Sequence, residues 1–539
     1  MILMYIELVA ATVAFTFVMR YHLHMLQLNG YKNNEYFAWL KKRFRPDAPV
    51  ILMIIGLILG VCAIACGIVR KILSMEEGEF FFYIFDAVLI LWAIVIIPVF
   101  IDLIRGNTKK RFVYTARVKR LIVVDYCLSI LIELLIHLLT RDRFICIGCC
   151  VILAAAQFVF PAFINFMNRP MEATIRNHYI NDAKRMLRES PDLTVIGVTG
   201  SYGKTSVKFY LGALLAEEYS VLVTPESYNT PMGVVKTIRE KLKSTHQIFI
   251  CEMGARYVGD IKELCDIVHP DAGVITAVGP QHLETFGDTE HVLDTKFELA
   301  DSLKPGSKLF LNADNDYILT KLDKYEDIAI LYHTCEMDVG YRAKDIVVSD
   351  EGTEFTVEND AGGRERFSMQ LVGAHNVINV LGAIAVANSF GISLNRLKVP
   401  VRRLTPVKHR MELITRGDLT IIDDAYNSNP VGSKAAVETL AMFDGLHILI
   451  TPGMVELGDK EAEYNRVFGG YAAACCDYIL LVGEEHTRPI RDGALRAGFA
   501  EKKCLVFEKL EEALTFAYSI ATAKRKYILL ENDLPDQYS

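Results

Sequence analysis

Paired cysteines are missing from this sequence. Its 12 cysteines are scattered, and half of them (Cys62, Cys66, Cys127, Cys146, Cys149 and Cys150) lie in apolar runs. Cys146 and Cys149 have CxxC spacing but no second pair, so neither a disulfide scaffold nor a metal or redox motif is supported. An excess of basic residues is missing too: 58 Lys and Arg face 65 Asp and Glu, a net charge of −7. That balance argues against a nucleic-acid partner. No internal repeat and no low-complexity tract appears. Disorder has no support in a chain that is 52% hydrophobic, above the usual roughly 45–50%. The first apolar run also lacks a basic leader and a small-residue cleavage pattern. It reads as a membrane span, not a signal peptide.

What is present is unevenly spread. Residues 1–190 carry 22 basic and 14 acidic residues, a formal charge of +8, and the remainder carries 36 and 51, or −15. A basic, greasy front therefore precedes an acidic back long enough for two domains. Five apolar runs in the front, roughly 2–19, 50–69, 80–104, 121–139 and 144–167, each approach the ~20 residues needed to cross a bilayer. Segment 20–49 holds six basic residues (Arg20, Lys32, Lys41, Lys42, Arg43 and Arg45), and 105–120 holds seven. The alternate loops near 70–79 and 140–143 hold two each. The positive-inside rule then predicts an N-terminus outside and everything after about residue 168 in the cytoplasm. Asp86, Asp125, Glu133 and His137 fall inside spans, where ionisable groups are costly and either pair between helices or serve function. Glu133 and His137, four apart, share one helical face and are placed to bond each other. From Arg169 to about Pro191 the pattern predicts an amphipathic connecting helix.

At 193–206 the chain reads LTVIGVTGSYGKTS. An apolar β-branched run, a glycine-rich turn and a helix starting near Lys204 form the context of a phosphate-binding loop. The glycines let backbone N–H groups turn toward an anion, and the helix N-terminus adds its positive end. Lys204 would reach the outer phosphates, and Thr205 or Ser206 would offer a hydroxyl to Mg²⁺. The usual GxxxxGK[ST] spacing asks for glycine where this chain has Val198; the fit is to TGxxGKT[ST], with Gly200 and Gly203.

Beyond this loop, a series of motifs in order resembles the Mur ligases, ATP-dependent enzymes that build the peptide of bacterial cell-wall precursors: ICEMGARYVGDI, PQHLETFG, DTKFEL, LVGAHNVIN, KHRMEL, IDDAYNSNP and GMVELG. Within the family the resemblance is to the MurF type, which adds D-alanyl-D-alanine. It implies an α/β phosphate-loop central domain over 192–404 and an α/β Rossmann-like C-terminal domain over 405–539. These follow a five-helix transmembrane region (1–168) and a connecting helix (169–191). The nucleotide would meet Thr199, Gly200, Ser201, Tyr202, Gly203, Lys204, Thr205 and Ser206. Glu252, an acid ending an apolar strand, suits Mg²⁺. The resemblance makes His282 a ligand of a second metal ion, and makes Lys296 a carbamylated lysine, its cation converted to a metal-binding carboxylate. It also places Asn376 and Asn379 near the adenine. Arg410 and Asp424 of the third domain would meet the phosphates and ribose, as a guanidinium fork and a carboxylate can.

The implied reaction activates a substrate carboxylate as an acyl phosphate, which an amine then attacks; Lys204, His282 and Lys296 carry the chemistry. The expected partners are ATP, Mg²⁺, a muropeptide-type carboxylate, an amino acid or dipeptide amine, and membrane lipid. The expected site is the bacterial cell membrane, with the catalytic domains cytoplasmic. The chain departs from the family at both ends. No UDP-binding domain is visible, and it ends LLENDLPDQYS where relatives have Lys-Gly-Ser. A lipid-linked acceptor, or a non-catalytic ATP-binding scaffold, are the alternative readings.

Overall fold

A computed structural model describes residues 2–43, 48–73, 80–105, 111–226, 228–349, 352–425 and 428–533. The chain divides into two compact units, 1–176 and 177–534. Part of the C-terminal LLENDLPDQYS stretch lies outside the described residues.

The first unit is helical. It contains α1 (Ile2–Leu28), α2 (Asn33–Arg43), α3 (Ala48–Leu73), α4 (Phe80–Arg105), α5 (Ala116–Thr140), α6 (Arg143–Ala155), α7 (Phe160–Met167) and the start of α8 (Arg169–Arg188). Four of them, α1, α3, α4 and α5, are long and apolar enough to cross a membrane. The fifth expected span is not one straight helix. α6 and α7 are bent by 78° at a short break, so the pair makes a fifth span only if a broken helix is counted. Pro161 in the first turn of α7 explains the break: without an N–H, and with a ring that clashes one turn back, proline starts helices and interrupts them.

Small residues let α3 and α6 approach closely. A Cβ at Gly60 would lie 2.8 Å from the Gly148 carbonyl, the packing that small residues permit between apolar helices. Ile58, Val61, Leu91, Ile94, Leu131 and Leu138 point outward. Glu7, Asp86 and Asp125 are buried among the helices, while His137 lies exposed on its helix. Arg143 bonds Glu7 Oε2 at 2.8 Å and Asp86 Oδ2 at 2.7 Å, tying α6 to α1 and α4. Asp125 accepts from Gln157 and Ser129. Glu133 and His137 do not bond each other as their spacing suggests. They face Cys150 and Cys146 of the adjacent antiparallel α6, whose own four-residue spacing matches theirs.

The second unit holds two sheets. The larger runs β1 (Thr194–Thr199), β2 (Val221–Val223), β3 (Ile248–Glu252), β4 (Ala272–Ile275), β5 (Lys308–Asn312), β6 (Ala329–His333), β7 (Tyr341–Ser349), β8 (Gly352–Glu358) and β9 (Arg364–Met369). Its spatial order is 2-3-1-4-5-6-7-8-9, parallel through β7 and antiparallel at β8 and β9. Continuous apolar strands such as IFICE suit a parallel sheet covered on both faces. One face carries α9 (Lys204–Leu215) and the helix Ala374–Ser389, packed through Val207, Leu211, Leu381 and Ile384. The other carries Val234, Ile238, Ile261, Leu264 and Phe297. β1 lies where the strand order reverses, and in such sheets ligands bind outside the carboxyl ends of strands at that point. The smaller sheet comprises β10 (Glu412–Arg416), β11 (Leu419–Asp424), β12 (Leu446–Thr451), β13 (Tyr478–Val482), β14 (Cys504–Phe507) and β15 (Lys526–Glu531). Its order is 10-11-15-12-13-14, with only β10 antiparallel.

Candidate active site

The loop after β1 is built for close backbone approach. Gly200 has φ 151°, and a Cβ there would collide with Thr276 Oγ1 at 2.1 Å; Gly203 has φ 81°, and its Cβ would meet Asn379 Oδ1 at 2.6 Å. Only glycine fits both conditions at each position. Thr199 is buried and donates to the Met253 carbonyl at 2.9 Å, while Ser201 bonds the Ala277 and Gly279 carbonyls. Thr276 Oγ1 donates to the Tyr202 carbonyl at 2.5 Å. The loop is thus pinned from the ends of β3 and β4. Lys204 opens α9 and folds over the loop, donating to the carbonyls of Gly200 (2.6 Å) and Ser201 (3.1 Å). Burial lowers its pKa to about 8; Glu252 opposes that shift and Arg410 adds to it.

Thr205 and Ser206 separate here. Thr205 Oγ1 donates to Glu252 Oε1 at 3.1 Å, whereas Ser206 turns to Tyr210. Glu252, at the end of β3, is 1% exposed. It also accepts from Asn229 at 3.0 Å and ion-pairs with Lys208 at 2.8 Å. Burial pushes its carboxyl up, but Lys208, Lys204 and Asn229 outweigh it and keep the group below the ordinary range. Neither Lys208 nor Asn229 stands out in the sequence. Lys208 lies one helical turn beyond Lys204, the spacing that would have suggested it.

Lys296, on the helix Thr289–Asp301, is 1% exposed. Its ammonium stands 5.8 Å from the centre of the Phe286 ring, and no described residue gives it an ion pair. Burial lowers it to about 7, Lys204 lowers it further, and Asp260 and Glu298 pull weakly the other way. His282 has its Nδ1 on Glu456 Oε2. Glu456 comes from the smaller-sheet domain, as Arg410 and Asp424 do. Burial holds the imidazole below its ordinary value despite that carboxylate.

The two asparagines part company. The Asn376 amide is buried and used locally, donating to the Val372 carbonyl and accepting from Tyr210. Asn379, one turn on, touches the phosphate loop at Gly203. Arg410 acts electrostatically on both Lys204 and Asp424. Asp424 Oδ1 accepts from the Met411 amide at 3.3 Å, and burial raises its pKa to about 6 against the pull of Arg410. The predicted residues of both domains therefore converge, apart from Asn376, which is turned into the core.

Residues 198–387 match the Mur ligase middle domain and residues 409–530 the Mur ligase glutamate ligase domain. The UDP-N-acetylmuramoyl-tripeptide–D-alanyl-D-alanine ligase of Bacillus subtilis is 32% identical over 318 residues, 58% of this chain and 66% of that protein. The chain thus spans about two thirds of this curated relative's length. MurF of Acinetobacter baumannii has a similar structure, with a TM-score of 0.61 at 25% identity over 66% of this chain and 77% of that one. MurF ligase of Thermotoga maritima, solved in complex with ADP, has a TM-score of 0.60 at 24% identity over 66% of this chain and 80% of its own. With two matched domains in the family's order, on the two sheets that bring these residues together, the chain belongs to the Mur ligase family.

Proposed function

We propose that this chain is an ATP-dependent amide ligase of cell-wall precursor synthesis, of the MurF type, held at the cytoplasmic face of a membrane. The observation that carries the reading is the meeting of a lysine-tipped phosphate loop with a buried carboxylate and with Arg410 and Asp424 of the second sheet domain. In the reaction, a substrate carboxylate oxygen bonds the γ-phosphorus of ATP and the bond to ADP breaks. An amine then bonds the acyl carbon, gives up a proton, and phosphate leaves. The protein's part is positioning and neutralising charge on the moving phosphoryl group.

Lys204 is the cation aimed at the phosphates, and Arg410 adds a second from the facing domain. The donor set also suits divalent cations. Thr205 and Glu252 offer a hydroxyl and an ionised carboxylate at the loop, as Mg²⁺ sites beside nucleotide phosphates require. His282 and a carbamylated Lys296 would hold a second ion. Mg²⁺, when bound, would neutralise phosphate charge. A non-catalytic scaffold would have no use for a buried lysine that forms no ion pair among the described residues.

The deciding assay uses full-length protein in detergent with ATP, a UDP-linked or lipid-linked muramoyl tripeptide, and D-alanyl-D-alanine. Mass spectrometry is expected to show the acceptor joined to the dipeptide, with one phosphate released per product. No product and no phosphate release with either acceptor would overturn the reading. Which acceptor reacts tells whether the helical unit serves the substrate. Even four long apolar helices exceed what anchoring needs, since one transmembrane helix already inserts almost irreversibly.

The membrane reading makes a separate prediction. The alternate loops carry six and seven Lys and Arg against two each, which by the positive-inside rule puts the richer ones in the cytoplasm, and ATP supply demands the same side for the ligase domains. A reporter enzyme fused after Ser539 should be active only when it needs the cytoplasm. Activity restricted to the outside would refute the orientation.

A further inference from the structure

Glu456 belongs to the GMVELG segment that follows β12, yet its carboxylate works on the other domain. Its Oε1 accepts from Arg256 Nη2 at 3.0 Å, and its Oε2 bonds His282 Nδ1. These partners lie 200 and 174 residues away in the chain. Both partners in the histidine contact have left-handed backbones although neither is glycine: φ is 65° at Glu456 and 51° at His282. Such a backbone is strained and persists only where the surroundings impose it. The Glu456 loop is seated close as well, for a Cβ at Gly458 would lie 3.6 Å from the Glu284 amide.

A carboxylate facing Nδ1 of an imidazole holds the proton on that nitrogen and leaves the lone pair on Nε2. Among the described residues Nε2 of His282 has no hydrogen-bond partner, so it is the nitrogen free to ligate. We propose that Glu456 is a positioning residue that prepares His282 as a metal ligand from across the domain interface. Seating of the smaller-sheet domain on the larger is then what completes the second cation site. Arg256 clamps the other oxygen and fixes the carboxylate plane. The ligand is a hard divalent cation bound with the nucleotide, and the inference rests on the reading of His282 given above. It accounts for two left-handed non-glycine residues meeting at one contact.

The test is binding, not turnover. Mn²⁺ would be titrated into full-length protein in detergent with a non-hydrolysable ATP analogue, and bound metal followed by its paramagnetic resonance spectrum. Removing the partner of a metal-bound histidine usually weakens metal binding about 10–100-fold. Glu456→Ala should therefore weaken the second Mn²⁺ by that factor. Glu456→Gln should weaken it less, because its amide oxygen still accepts from Nδ1–H. His282→Ala should weaken it at least as much as Glu456→Ala, and the double variant should add nothing beyond His282→Ala. Glu456→Gln is the variant least able to disturb folding, and its thermal unfolding midpoint without metal is the control. If His282→Ala weakens Mn²⁺ and neither Glu456 variant does, the positioning role is refuted while the metal reading stands. If His282→Ala changes nothing, the metal reading itself fails and the inference falls with it.

Discussion

Replacing Lys204 by alanine is expected to reduce ATP-dependent product formation by at least 10²–10³-fold, the usual loss when one charge-stabilising donor is removed from a transferring group. The expectation follows from position. Lys204 is the first residue of α9, its amine lies over the loop carbonyls of Gly200 and Ser201, and Glu252 and Arg410 both act on it. An incoming triphosphate would exchange those carbonyl contacts for anionic oxygens. Among the described residues the side chain bonds only this loop, so its loss should leave folding largely intact. Glu252→Ala would be a poorer test. It strands Lys208 as a buried, unpaired cation, and breaking such a pair costs about 3–5 kcal/mol in stability. Phosphate release by Lys204→Ala at near the parent rate would show that the loop does not carry the chemistry.

Much of this site is legible in the sequence because it is local. The turn between β1 and α9 announces itself through glycines whose φ values no other residue adopts cheaply, and through the apolar run before them. Glu252 can be read from its place at the end of an apolar strand. What is not legible is contact between distant segments. Glu456 stands in a quoted motif but earns its role only by meeting Arg256 and His282, and no spacing rule spans that distance. Asn376 shows the opposite failure. It shares a helical face with Asn379, yet a tyrosine from α9 and its own helix's preceding turn absorb its amide. In the helical unit, hydropathy finds the long apolar helices, but the bend at Pro161 and the facing of Glu133 and His137 toward two cysteines depend on how α6 packs. Hydropathy carries no information about neighbours.

Lys296 is the residue that chemistry alone would have passed over, and its replacement should be nearly as damaging as that of Lys204. On the sequence it is one charge on a charged helix. In the structure it is buried, with an aromatic ring for company and no ion-pair partner among the described residues. A permanent ammonium there is expensive, and burial lowers its pKa to about 7, so far more of the amine is neutral near pH 7 than in an ordinary lysine. The neutral amine is the form that adds CO₂: nitrogen bonds the carbon, a proton leaves, and the product is a carbamate. That reverses the sign of the side chain and creates the oxygen ligands a hard cation needs beside phosphate. Lys296→Ala should therefore lose activity about 10²-fold or more on the scale of a lost charge-stabilising group, and recover part of it with added acetate or formate. Lys296→Glu restores the sign without the reach and should retain a fraction. Carbon-13 bicarbonate should add one carbamate resonance to the parent spectrum and none to Lys296→Ala. A parent protein without that resonance at saturating bicarbonate, whose alanine variant small carboxylates fail to rescue, would leave Lys296 as a structural lysine and remove it from the metal site.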